Sequence, residues 1–208
     1  PLTHGMNREA LNLYRGWRKA CGGLRFQGLE YHYGGRYIPG WDAMAQNMRW
    51  YADHDAAMIR NLGSPKCFTA LYSYMITRLG WDPYVAPETL KEEFVRQYYG
   101  AGAPAIMEHL ALLGTRLKTT EIRRGQDSGG MPVEFWAGGF YEKAFGLLER
   151  AEKLAADDRV AVRRIKVEQD EMRRDLLFGM RTSYDRAPKA LRAAARRIVQ
   201  GRIERALS

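Results

Sequence analysis

The chain has 208 residues, 46% of them hydrophobic, 27% charged and 12% aromatic, a composition of folded globular protein that excludes disorder over most of its length. No apolar run approaches the roughly 20 residues that a membrane-spanning helix needs, and the start, PLTHGMNREA, lacks the basic-then-apolar order of a signal peptide. Cys21 and Cys67 stand far apart and outside any CxxC or His/Cys cluster, which argues against a disulfide framework and a structural zinc site.

The net charge of +9 is unevenly spread. Residues 1–114 hold 12 Lys/Arg against 10 Asp/Glu, residues 115–208 hold 21 against 14, and residues 181–208 alone hold 8 against 2. The basic excess is therefore mainly a property of the C-terminal end, where it would suit an acidic surface or nucleic acid.

In chain order, Leu11, Tyr14 and Trp17, with Leu13, predict a helix over Asn7–Ala20 that Gly22 and Gly23 end. LRFQGLEYHY, residues 24–33, is short, aromatic and bounded by glycine pairs, and reads as a strand. Its alternation puts Gly28, Glu30 and His32 on one face and Leu29, Tyr31 and Tyr33 on the other. GGRYIPGW is a loop, and a helix is expected from about Asp42 to Ala57, with a short strand possible at Met58–Arg60.

Beyond Asn61 the pattern is helical. Phe68, Leu71, Tyr72, Met75 and Leu79 mark one helix. Leu90, Phe94 and Tyr98 mark a second, opened by Pro87 and closed by Gly100, and Pro104 begins a third with Ile106, Leu110, Leu113 and Leu117. Residues 122–133 read as a loop. Phe140, Ala144, Leu147, Ala151 and Leu154 predict a packing stripe, and Val162, Ile165, Met172 and Leu176 predict another that Gln169 interrupts. Pro188 opens a last helix dense in Arg and Ala. The expected fold is mainly α with a minor α/β part: residues 1–65 as a fragment of a larger sheet or barrel, and residues 66–208 as a helical C-terminal domain. One or two strands do not make a stable sheet alone. With no initiator methionine, the chain is expected to be a piece of a longer protein.

Glu30 is the first candidate for chemistry. It stands near the end of a strand, beside His32 and before a glycine-rich loop, where the side chains of a parallel barrel surround an active site. A carboxylate there serves as acid, base or sugar-hydroxyl acceptor; the competing reading is a strand-end charge paired with Arg36. Tyr31, Tyr33, Tyr37 and Trp41 cluster nearby, and aromatic faces suit the apolar C–H surfaces of sugar rings, though each also suits core packing. His54, between Asp53 and Asp55, reads as a cation at a helix C-terminus, and His109 as structural. The sequence holds neither GxGxxG nor GxxxxGK[ST], and no GxSxG, so common nucleotide enzymes and serine hydrolases are disfavoured.

Residues 71–113 carry a longer pattern: Leu79, Trp81, Asp82 and Pro83, then Phe94, Tyr98, Tyr99 and Gly100, then Ala103 and Pro104. In order and spacing it resembles the stretch shared by glycoside-hydrolase-like proteins of the family called domain of unknown function 4838. Residues 24–60 are similar to that family's late barrel strands, and FYEKAFGLLERAEKLAADD, residues 140–158, to its C-terminal helical region. The resemblance implies the C-terminal part of a sugar-acting protein: the last βα units of a (β/α)8 barrel, then a helical domain.

It also implies a sugar site lined by Glu30, Tyr31, His32, Tyr33, Tyr37, Trp41 and the position held by Asn61, where the family usually carries a glutamate. Hydrolysis of glycosidic bonds by carboxylates would belong to the full-length chain, with the isolated piece inactive. A carbohydrate substrate and the N-terminal remainder of the same protein are the implied partners, and no cofactor, metal or membrane is implied. The location follows any upstream leader: secreted or periplasmic with one, cytoplasmic without. The alternative function is a non-enzymatic helical interaction module whose basic last helix binds an acidic partner or nucleic acid.

Overall fold

The computed structural model describes residues 3–22, 27–32, 37, 40–54, 56, 58–120 and 131–207. The chain is mainly helical, and it forms two compact units. The first holds residues up to 35, Gly40–Pro65 and Thr69–Phe94. The second holds Arg36–Pro39, Lys66–Phe68 and everything from Val95 on.

In the first unit, α1 (Arg8–Ala20) follows a 3-10 turn at Gly5–Asn7. Strand β1 (Gln27–His32), helix α2 (Trp41–Asp53) and strand β2 (Met58–Gly63) make a βαβ unit, followed by α3 (Thr69–Trp81) and the start of α4 (Pro87–Tyr99). The strand reading of residues 24–33 is found over Gln27–His32, and the short strand expected at Met58–Arg60 runs on to Gly63. The two strands are parallel, in a register from Gln27 opposite Met58 to His32 opposite Gly63.

Helix α2 buries Trp41, Met44, Ala45, Met48 and Tyr51 at the three- and four-residue spacing of one helical face, and Trp50 on the other side, against Tyr14 and His54. It packs on α3, which buries Leu71, Tyr72, Met75 and Leu79. Each such side chain removed from water stabilises by about 1.5–3 kcal/mol. Helix α1 fully buries none of its residues. Its Tyr14 stands edge-on to Trp50 with centroids 4.8 Å apart, and Arg18 Nη1 donates to the His54 carbonyl at 3.0 Å. Between α2 and α4, the buried Lys91 ammonium donates to Asp42 Oδ1 and to Glu88 Oε1, both at 2.7 Å.

In the second unit the end of α4 passes through a 3-10 turn, Gly100–Gly102, into α5 (Ala103–Thr119). Short α6 (Val133–Trp136), α7 (Phe140–Leu154), α8 (Arg159–Ser183) and α9 (Lys189–Leu207) follow. Gly100 has a φ of +52°, a left-handed conformation that ends α4 and that a side chain would strain. Asp158 caps α8, its Oδ1 accepting from the N–H groups of Val160 and Ala161 at 2.9 and 3.0 Å.

Helix α5 packs on α7, and α7 on α8. The 3-10 turn before α5 also lies against α7: a Cβ on Gly102 would stand 2.9 Å from the Ala151 carbonyl oxygen. Two expected stripes rotate in the structure. Helix α7 buries Tyr141, Ala144, Leu148 and Ala151 in place of the Phe140–Leu147–Leu154 edge, leaving Leu154 49% exposed. Along α4, Leu90, Val95 and Tyr99 go inside, while Phe94 and Tyr98 remain half-buried. In both helices an aromatic ring with a polar tip takes the inner place.

Candidate functional site

The carboxyl ends of β1 and β2 are the first place to look for chemistry, because parallel strands with a crossover helix present their loops there. The register sets Glu30 opposite Asn61, Tyr31 opposite Leu62 and His32 opposite Gly63. Two residues from separate segments, singled out independently in the sequence, thus become direct neighbours on adjacent strands. Asn61 and Gly63 are exposed.

Gly28 shows which side α2 covers: a Cβ there would meet the Tyr51 ring at 2.9–3.0 Å. Only glycine allows this helix to lie so close to the strand. By two-residue alternation, positions 28, 30 and 32 share the helix-covered side and positions 27, 29 and 31 the opposite one. On that opposite side Gln27 and Arg60 are exposed, and Met58 is 55% exposed. Among the described residues this side stays open, whereas parallel sheets are ordinarily covered on both.

The aromatic candidates go elsewhere. Tyr33 lies outside the described residues. Trp41 opens α2 and is 1% exposed, part of that helix's core face. Tyr37, also 1% exposed, belongs to the second unit, its ring 5.7 Å from Trp136. The structure therefore brings Glu30, Tyr31, His32 and Asn61 to one pair of strand ends and gives Tyr37 and Trp41 to packing. His54 sits at the C-cap of α2, its Nδ1–H donating to the Trp50 carbonyl at 2.9 Å and its ring stacked on Trp50 at 4.1 Å.

A second polar cluster, which the sequence reading missed, lies inside the helical unit. Buried Glu168 of α8 accepts from the Phe68 N–H at 3.0 Å and from the Tyr99 hydroxyl at 3.2 Å. Burial, only partly offset by these two donors, pushes its carboxyl up to about 8. Seven residues on, Asp175 accepts from the Met131 N–H at 3.0 Å and from Trp136 Nε1 at 3.0 Å. The one available signal was two carboxylates a heptad apart in the apolar stripe of the α8 sequence.

Between them runs a chain of neutral groups. His109 Nδ1–H donates to the Ala144 carbonyl at 2.8 Å, so its Nε2 accepts from the Tyr37 hydroxyl at 3.4 Å, and that hydroxyl is hydrogen-bonded to Cys67. Burial lowers the His109 ring to about 4 and holds the Cys67 thiol and the Tyr37 and Tyr99 phenols well above their ordinary values. A thiol kept protonated in a dry interior is a poor nucleophile. Cys67, Phe68, His109 and Tyr99 are all fully buried, and the two carboxylates tie Phe68, Tyr99, Met131 and Trp136 to α8. Among the described residues, no group of three or more His, Cys, Asp or Glu side chains could hold a metal ion.

The model of the family described as Domain of unknown function (DUF4838) matches residues 1–111. The chain belongs to the DUF4838 family. The match covers α1 through the first half of α5 and includes both strands. No curated protein and no solved structure matches the chain. Several positions of the family-like pattern have a structural reason. Leu79 is buried, Asp82 Oδ1 accepts the Tyr84 N–H at 3.0 Å to fix the turn after α3, and Gly100 supplies the left-handed residue after α4. Trp81, by contrast, is 93% exposed.

Among the described residues, no helix is long and apolar enough to cross a membrane.

Proposed function

We propose that this DUF4838 chain is the C-terminal part of a carbohydrate-active, glycoside-hydrolase-like protein. Its β1–α2–β2 unit would be the last portion of a (β/α)8 barrel, followed by a helical domain. The observation that carries this reading is the parallel pairing of β1 and β2, with Glu30 opposite Asn61 at the carboxyl ends. Two parallel strands covered on one side only need further strands and a second covering layer, which a barrel supplies.

In that setting Glu30 acts from the strand end as the acid or hydroxyl-accepting carboxylate, and Asn61 hydrogen-bonds the sugar. Tyr31 and His32, next to Glu30 at the same strand end, are the further residues assigned to the sugar site. The chemistry would be hydrolysis of a glycosidic bond in an acidic or N-acetylated carbohydrate by a pair of carboxylates.

The test is turnover of a panel of aryl glycosides by the full-length protein and by the 208-residue chain. The full-length protein is expected to turn over at least one of them and the 208-residue chain none. In the full-length protein Glu30→Gln should lower kcat by 100-fold or more, and Asn61→Ala should raise KM. Unchanged kcat in Glu30→Gln, with a lowered Tm, would assign Glu30 to packing under α2 and sink its catalytic role. Glycoside turnover by the 208 residues alone would overturn the fragment reading.

A further inference from the structure

A groove between α8 and α9 has the makings of a docking surface. Its floor and walls are apolar: Leu177 and Met180 on α8 with Tyr184 at its C-cap, at spacings of 3 and 4, and Ala195 and Val199 four apart on α9. Met180 and Ala195 are buried, but Val199 is 45% exposed and Tyr184 36% exposed, so the groove keeps apolar surface in water. Its rim is cationic, with Arg181, Arg196 and Arg197 alongside.

Three of the arginines in this region are held by aromatic groups. Arg196 Nε donates to the Tyr184 hydroxyl at 3.0 Å, Arg192 lies 5.9 Å from the centroid of the same ring, and Arg181 lies 5.3 Å from that of Phe178. Among the described residues, none of Arg181, Arg192, Arg196 and Arg197 forms an ion pair with a carboxylate. The region 181–208 has 8 cationic residues against 2 acidic ones. Arg197 also borders a neighbouring hollow with Glu142 and Glu149 of α7, so the groove's own cationic rim rests first on Arg181 and Arg196.

We propose that this groove binds an acidic amphipathic helix of a partner protein. Apolar residues of that helix at i, i+3, i+4 and i+7 seat between the α8 and α9 ridges, while its flanking Asp and Glu meet Arg181, Arg196 and Arg197. Two rows of side chains spaced like helix ridges fit a third helix. A nucleic-acid backbone would use the arginines and leave Leu177, Met180 and Val199 without a partner, which is why a peptide fits better than a polyphosphate.

The experiment is fluorescence anisotropy with the whole 208-residue chain and a labelled 18-residue peptide carrying Leu at i, i+3, i+4, i+7 and Glu on both flanks. A scrambled peptide of the same composition and a 20-base-pair DNA duplex are the comparison ligands. The amphipathic peptide is expected to bind at least tenfold more tightly than either and to weaken with added salt. Val199→Glu, at an exposed position, and Arg196→Glu/Arg197→Glu should each weaken it at least tenfold, with the helical circular dichroism unchanged. No binding at 100 μM peptide overturns the proposal, as does equal binding of the scrambled peptide or the duplex. Loss of binding in the arginine variant but not in Val199→Glu also overturns it, since the surface would then be purely electrostatic. So does a dimer, seen by sedimentation, that Val199→Glu dissociates, because the groove would then belong to a second copy.

Discussion

Glu168, in the middle of α8, accepts a hydrogen bond at 3.0 Å from the backbone N–H of Phe68, 100 residues earlier in the chain. Phe68 itself has a φ of +48°, uncommon for a bulky residue and costly unless its surroundings hold it. The carboxyl group is what holds it, with the Tyr99 hydroxyl as a second donor on the other oxygen. A segment of irregular backbone is thereby pinned inside the helical unit by a group whose own burial is unfavourable when ionised.

That burial makes stability depend on pH with a definite sign. The Glu168 carboxyl titrates near 4.5 when unfolded and at about 8 when folded, so between those values the folded state holds the proton that the unfolded state has lost. Its contribution is complete below about pH 4.5 and is lost as pH rises through 8, a change on the order of a few kcal/mol. Glu168→Gln mimics the protonated form. Chemical denaturation from pH 5 to 8.5 should show a flatter pH slope for this variant and a higher stability than the parent at pH 8. Parallel slopes in the two proteins would refute the shift.

His109 acts in the opposite direction. Its ring, lowered from 6.5 to about 4, binds a proton in the unfolded state before the folded one does, so stability falls as pH drops from 6.5 towards 4. His109→Gln keeps a donor for the Ala144 carbonyl and should remove this acid loss. The Tm difference between pH 6.5 and 4.5, with Glu168→Gln as background, is the measurement.

Asp175 satisfies two buried donors at once, the Met131 N–H and Trp136 Nε1. Asp175→Ala should cost about 2–4 kcal/mol by leaving both unpaired, whereas Trp136→Phe, which removes one donor, should cost less. Urea denaturation of the two variants at one pH decides it; equal losses would show that ring volume and not hydrogen bonding dominates.

Gly179 has no room for a side chain, because a Cβ would lie 2.6 Å from the Met131 carbonyl oxygen. Gly179→Ala should destabilise by about 1–3 kcal/mol, although alanine favours a helix interior by up to about 1 kcal/mol elsewhere. Gly146→Ala, where nothing stands within 4 Å, is the matching control and should stabilise. A stabilised Gly179→Ala would mean that residues near Met131 move freely.

The two cysteines should differ in reactivity. Cys21 is partly exposed and Cys67 buried. Titration with a thiol reagent is expected to modify Cys21 rapidly and Cys67 only on unfolding, and a rapid second equivalent would contradict the dry environment of Cys67.

Local pattern alone determined the mainly helical character, a strand within residues 24–33 and the places near Pro87, Pro104 and Pro188 where α4, α5 and α9 begin. These depend on apolar spacing, prolines and glycines, which act within a few residues. The same spacing misjudged which edge of α4 and α7 turns inward: Tyr99 is drawn in by Glu168, 69 residues on, and Tyr141 packs between Trp136 and Phe145. Glu30 and Asn61 were each legible as candidates, but their adjacency came from the parallel register of two strands separated by a helix. Glu168 and Asp175 left only the trace of two carboxylates a heptad apart in an apolar stripe: a carboxylate reads as surface until the distant N–H groups that satisfy it are in place. The +9 charge, already traceable to the last helix in the sequence, acquired a shape only when α9 met α8 and set its arginines along an apolar groove.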